Sequence, residues 1–134
     1  MNFSNYAYGL TGDNRPEEEP EQARYYLAYG SNLNKQQMSW RCPDAEPVGK
    51  TVLPGYRLEF RRGVLTIDRN KKGLVYVGVW KISETDEKAL DRYEGYPRLY
   101  RKKNFRVMVG GDEINAMAYI MTDGHPIEPP TSNY

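Results

Sequence analysis

The chain has 134 residues, 39% of them hydrophobic and 28% charged, enough for one domain with a real core. Lys and Arg total 19 against 18 Asp and Glu, and a net charge of +1 gives no general pull toward nucleic acid or an anionic membrane. The single cysteine, Cys42, excludes an internal disulfide and fits a reducing compartment. There is no basic segment followed by an apolar run at the N-terminus, and no apolar stretch nears the roughly 20 residues of a membrane span. The expectation is a cytoplasmic protein with neither nucleic-acid nor membrane partners; nothing in the sequence sets an oligomeric state.

Residues 1–23 end in Arg15-Pro16-Glu17-Glu18-Glu19-Pro20-Glu21 and show little apolar periodicity, which predicts an acidic, proline-bounded flexible arm. A domain is expected over 24–134. Tyr25-Tyr26-Leu27-Ala28-Tyr29 reads as a buried strand ended by Gly30. Asn34 to Arg41 reads as a short helix that stops before Pro43. Val48 to Phe60 reads as two strand pieces broken at Pro54-Gly55, and Val64 to Ile67 as another short strand. Asn70-Lys71-Lys72-Gly73 reads as a turn, and Leu74 to Ile82 as the strongest strand, apolar enough for both faces to be covered. Gly78 within it predicts a bulge or a close backbone approach.

Ser83-Glu84-Thr85-Asp86 has the pattern of a capping box and opens a helix through Tyr93, on which Ala89, Leu90 and Tyr93 can share a face. Gly95 and Pro97 end it. Tyr100 to Val109 and Ile114 to Met121 pair as strands across Gly110-Gly111-Asp112. From Asp123 the prolines predict an irregular tail. Six or seven short strands and two short helices give an α+β fold: a small mixed, mostly antiparallel β-barrel with two flanking helices.

His125 is the only histidine, and there is no His, Cys and carboxylate cluster at metal spacing, so no metal site is expected. No phosphate-binding glycine loop occurs, and no cofactor is expected. Cys42, before Pro43 at a helix end, reads as a packed or half-exposed thiol and not as a nucleophile. Twelve tyrosines against three phenylalanines fit either amphipathic strand faces or a polar-lined cavity.

Two features are left to carry chemistry. In Tyr29-Gly30-Ser31-Asn32-Leu33, glycine lets the backbone turn and a ligand approach, and the amides at a strand-to-helix junction favour negative charge. The same residues read equally as a turn with Asn32 or Asn34 as a helix cap. In Leu90-Asp91-Arg92-Tyr93-Glu94-Gly95-Tyr96-Pro97, a carboxylate meets the unfavourable end of a helix dipole. Burial among Tyr93, Tyr96 and Tyr100 would raise its proton affinity further, as a general base near neutrality requires. An exposed glutamate at a frayed helix end is the alternative.

Together, in order and spacing, Tyr26-Leu27-Ala28-Tyr29-Gly30-Ser31-Asn32-Leu33, the following Met38 and Arg41-Cys42-Pro43, and Leu90-Asp91-Arg92-Tyr93-Glu94-Gly95 with Pro97 and Tyr100 resemble the γ-glutamylcyclotransferase-like (AIG2-like) family. Pro130-Thr131-Ser132-Asn133-Tyr134 is similar to its late proline, serine and tyrosine stretch. The resemblance covers about residues 24–134. It implies a small mixed barrel with a cavity at one end and a small-molecule γ-glutamyl substrate, cyclised to 5-oxoproline with release of an amine. It implies Glu94 as the acid/base and residues 29–33, Tyr100 and Tyr134 as substrate-binding. A non-catalytic pocket protein of the same fold is the alternative.

Overall fold

The computed structural model describes residues 23–130. Almost all of the arm expected over 1–23, and Thr131 to Tyr134, lie outside the described residues. Five strands form one mixed sheet in the order β2-β3-β1-β5-β4, with β1 antiparallel to β3 and parallel to β5. The strands are β1 (Arg24–Ala28), β2 (Glu46–Arg61), β3 (Val64–Ile82), β4 (Tyr100–Val109) and β5 (Asp112–Met121). Two helices, α1 (Lys35–Arg41) and α2 (Glu84–Glu94), complete the fold. Neither is long and apolar enough to cross a membrane.

The count of five corrects the expected six or seven. β2 runs straight through Pro54-Gly55, and β3 runs through Asn70 to Gly73. β2 lies at the sheet edge, where a proline need not donate to a ladder, and Pro47 and Pro54 both stand at register shifts against β3. The reversal falls instead at Arg62-Gly63, both at positive φ. Gly73 is a strand residue: a Cβ there would sit 2.1 Å from the Tyr56 carbonyl oxygen, beside the second register shift. Gly78 pairs in register with Ala28 and Lys50 and carries no bulge; what approaches it is the Leu33 side chain, 3.2 Å from where its Cβ would be.

Side-chain alternation divides the interior in two. Leu27, Ile67, Val75, Val77, Val79, Val107 and Ile120 pack inside the curl of the sheet. Tyr26, Met38, Trp80, Leu90, Tyr100, Met117 and Tyr119 pack on the opposite face, toward the helices. β3 is covered on both faces near its start, where Thr66 and Ile67 are both buried, and at its end, where Val79 and Trp80 are; between them Tyr76 is 75% exposed. The curl brings the two edge strands together. Thr51 Oγ1 donates to the Met108 carbonyl at 2.8 Å, yet no backbone ladder joins β2 to β4 among the described residues. The sheet is therefore barrel-like without closing.

The helices are set by local chemistry. Asn34 caps α1, its side chain accepting from the amides of Gln36 and Gln37. Ser83 and Asp86 form the expected capping box of α2. Asp86, itself buried, also accepts from the Asp44 amide at 3.3 Å, tying the end of α1 to the start of α2.

Candidate active site

β1 stops at Ala28, so the first half of β3 has no β1 neighbour. Two contacts bridge this gap: Thr66 Oγ1 accepts from the Met121 amide at 2.9 Å, and the Tyr100 hydroxyl donates to the Leu65 carbonyl at 2.6 Å. Beside them lies a cavity of about 160 Å³. Its walls are Tyr26 and the segment Tyr29 to Asn32 after β1, Val64 and Leu65 of β3, Tyr93 and Glu94 of α2, Leu99 and Tyr100, and Tyr119 of β5.

The segment after β1 makes a single 3₁₀ turn, Ser31–Leu33, with Leu33 N–H bonded to the Gly30 carbonyl and Asn34 N–H to that of Ser31, each at 3.0 Å. The first amides of the turn have no acceptor within it. Gly30 sits at φ −119, so the left-handed freedom of glycine is not used there. Its value is space: an added Cβ would touch only Leu65, at 3.8 Å. Asn32 is buried and is not a helix cap. Its Nδ2 donates to the Tyr26 hydroxyl at 2.9 Å, and its Oδ1 accepts from Arg41.

Glu94 is the last residue of α2. Gly95 follows at φ +66, with the Tyr96 amide bonded back to the Asp91 carbonyl at 2.9 Å, which ends the helix and fixes where Glu94 points. Burial pushes the Glu94 carboxyl up to about 7, against the opposing pull of the Arg41 charge. Burial likewise pushes the Tyr26, Tyr29 and Tyr119 phenols well above their ordinary range. The Tyr29 hydroxyl is committed to the Tyr119 carbonyl. The Tyr119 hydroxyl donates to Asp91 at 2.6 Å, and Asp91 and Glu87 share Lys102, with Arg24 closing on Glu87. This network pins α2 to the sheet one turn before Glu94.

The cavity thus brings together Glu94, Tyr29, Gly30, Ser31, Asn32 and Tyr100, all singled out above. Leu33 does not line this cavity. It is 48% exposed, lies against Gly78 and faces an adjoining groove instead. Tyr134 lies outside the described residues. Of the tyrosines expected around Glu94, Tyr100 is buried, while Tyr93 is 49% exposed and bonds Ser31 Oγ at 2.8 Å and Tyr96 does not line the cavity. Tyr26, Tyr93, Tyr119 and Arg41 are site residues that sequence reasoning did not assign. The excess of tyrosine over phenylalanine was their signal, since Tyr26, Tyr29, Tyr93, Tyr100 and Tyr119 all line the cavity. Cys42 is buried, with its thiol pushed up to about 12 by burial, so it is poorly suited to be a nucleophile.

The profile of the family described as "Gamma-glutamyl cyclotransferase, AIG2-like" matches residues 26–134. A human protein named gamma-glutamylcyclotransferase is 28% identical over 127 residues, covering 85% of this chain and 67% of its own. Its bovine namesake is 29% identical over 122 residues, covering 81% of this chain and 64% of its own. This chain thus spans about two thirds of the length of these relatives. A solved structure titled gamma-glutamyl cyclotransferase superposes with a TM-score of 0.75 at 26% identity, over 84% of this chain and 74% of that one. The site and these likenesses converge: the chain belongs to the γ-glutamylcyclotransferase, AIG2-like, family.

Proposed function

We propose that the protein is a metal-independent γ-glutamylcyclotransferase that converts a γ-glutamyl amino acid or γ-glutamyl amine to 5-oxoproline and the free amine. The observation that carries this reading is a half-buried carboxyl, Glu94, in the wall of a cavity it shares with the loop at 29–32, where burial pushes it up to about 7. The substrate brings its own nucleophile, its α-amine. Glu94 takes a proton from the ammonium, the amine attacks the γ-carbonyl, and a five-membered ring closes. Glu94 then gives that proton to the leaving nitrogen as its bond to carbon breaks, and the second proton of the attacking nitrogen passes to the released amine, which departs as an ammonium ion. Neither a protein nucleophile nor a Lewis acid enters the balance.

Holding the substrate folded back on itself is worth effective molarities up to roughly 10⁵–10⁸ M. The loop does the holding, and its first amides, free of partners in the turn, suit the oxyanion. Tyr100 belongs to the pocket in this reading, and so does Tyr134. What supports Tyr134 is that Pro129 and Pro130 already lie against Gly63, next to the cavity-lining Val64. A cytoplasmic setting completes the proposal.

The test is 5-oxoproline release from a panel of γ-glutamyl amino acids and amines. Turnover by the native chain, unaffected by a chelator and lost in Glu94→Gln, is the expected result. Ligand binding without turnover by the native chain would sink the enzymatic reading in favour of a binding protein.

A further inference from the structure

We propose that Arg41 is a positioning residue that clamps the loop at 30–33 to the end of α2, and that its charge and its planar shape do separate work there. The inference rests on the cyclotransferase reading for its functional meaning, but not for its geometry.

Arg41 is the last residue of α1, where a cation suits the helix dipole. Its guanidinium lies 3.4 Å from the centre of the Tyr93 ring. One of its nitrogens donates to Asn32 Oδ1, and the other end of that amide is committed to the Tyr26 hydroxyl, which fixes its orientation. The Tyr93 hydroxyl returns to Ser31 Oγ at 2.8 Å. The circuit therefore runs from loop to α1 to α2 and back to the loop, and Glu94 is the residue after Tyr93. A planar guanidinium stacks on a ring and donates sideways at once; an ammonium cannot do both.

The charge is the second part. Among the described residues Arg41 makes no ion pair with a carboxylate, so its field is not spent locally. The titratable groups lining the cavity with Glu94 are phenols: Tyr26 and Tyr29 after β1, Tyr93 on α2, Tyr100 on β4 and Tyr119 on β5. Of the described charged side chains, Arg41 is the one whose field reaches Glu94, opposing the effect of burial. A carboxyl left to burial alone would stay protonated too far above neutrality to accept the ammonium proton.

Arg41→Met and Arg41→Lys separate the two parts, read by carbon-13 titration of the Glu94 carboxyl (identified by its loss in Glu94→Gln) and by amide order parameters at Ser31 and Asn32. Neither readout needs a substrate. In Arg41→Met the Glu94 midpoint moves up by about one pH unit, while in Arg41→Lys it stays within about 0.3 of native. In both variants the loop amides fall from the rigid value near about 0.85 toward about 0.6. A merely structural arginine would lower the melting temperature and leave the Glu94 midpoint in place. An unmoved midpoint in Arg41→Met, or a rigid loop in Arg41→Lys, overturns the proposal. Failure of the native chain to release 5-oxoproline would fail the enzymatic reading and leave these two readouts to decide the clamp.

Discussion

At the scale of single residues, Glu94 links catalysis to stability with a definite sign. Its carboxyl has an ordinary value of 4.5 and a folded value of about 7, so between those limits the native state holds a proton that the unfolded chain has released. Stability from this group is fully present below the unfolded value and is lost as pH rises through the folded one. The cost at pH 8 is on the order of 3 kcal/mol before relaxation of the site. Glu94→Gln removes the titration, so its melting temperature should match the native chain at pH 4 and exceed it by several degrees at pH 8. Turnover should fall by roughly 10²–10⁴-fold, since the amide cannot accept the ammonium proton. The native kcat/KM should rise through pH 7 for the same reason, and thermal scans with a rate profile check all three. Equal melting curves at pH 8 would mean that Glu94 is hydrated. Gly30→Val is the second residue-level case. The backbone there is at negative φ and an added Cβ has room, so folding should survive while the side chain intrudes on the cavity. A native melting temperature with at least about tenfold weaker 5-oxoproline binding is expected; unchanged affinity would remove the loop from the site.

At the scale of elements, what could be read from sequence followed from how local the signal was. The capping box at Ser83 and the stop at Gly95 are short-range chemistry, and α2 spans the residues they predict. The β4–β5 hairpin is equally local, its register running from Tyr100↔Met121 to Val109↔Asp112. The long β2–β3 hairpin was not legible, because Pro54 and Gly73 read as breaks unless one knows that β2 is an edge strand whose bulge fits beside a glycine. The exposure of Tyr93 and Leu33 was not legible for a related reason. Helical and turn periodicity say which side chains share a face, but not how far a neighbouring layer extends to cover them. Gly95 shows an element determining a site. Its φ of +66 is strained for any other residue, so Gly95→Ala should cost about 1 kcal/mol. The same change should shift the direction of Glu94 and lower kcat more than it raises KM. A loss of stability with unaltered kcat would show that the cap does not orient the carboxyl.

At the scale of the whole molecule, the sheet is two hairpins, β2–β3 and β4–β5, held on either side of the five-residue β1. β1 joins them only along its own length; beyond Ala28 the halves meet through side chains and, at the β2–β3 turn, through backbone bonds to the segment after β5, among them Arg62 N–H to the Pro126 carbonyl at 3.0 Å. Thr66 is central to that seam. It is 1% exposed, and its Oγ1 accepts from the Met121 amide at 2.9 Å. The cavity exists because the seam is bridged by side chains and not filled by another strand. Thr66→Val keeps the shape but leaves a buried amide without its acceptor, at a cost of about 1–3 kcal/mol. Thr66→Ser keeps the hydroxyl and loses only a methyl group. The melting temperature should therefore drop by several degrees in Thr66→Val and much less in Thr66→Ser. Hydrogen exchange gives a more specific reading: the Met121 amide should lose protection in Thr66→Val while amides in the middle of the β4–β5 ladder, such as Phe105, keep theirs. Loss of protection throughout β4 and β5 would mean that the seam is part of one cooperative unit with the sheet. Retained protection at Met121 would mean that the Thr66 hydroxyl is not what holds the seam.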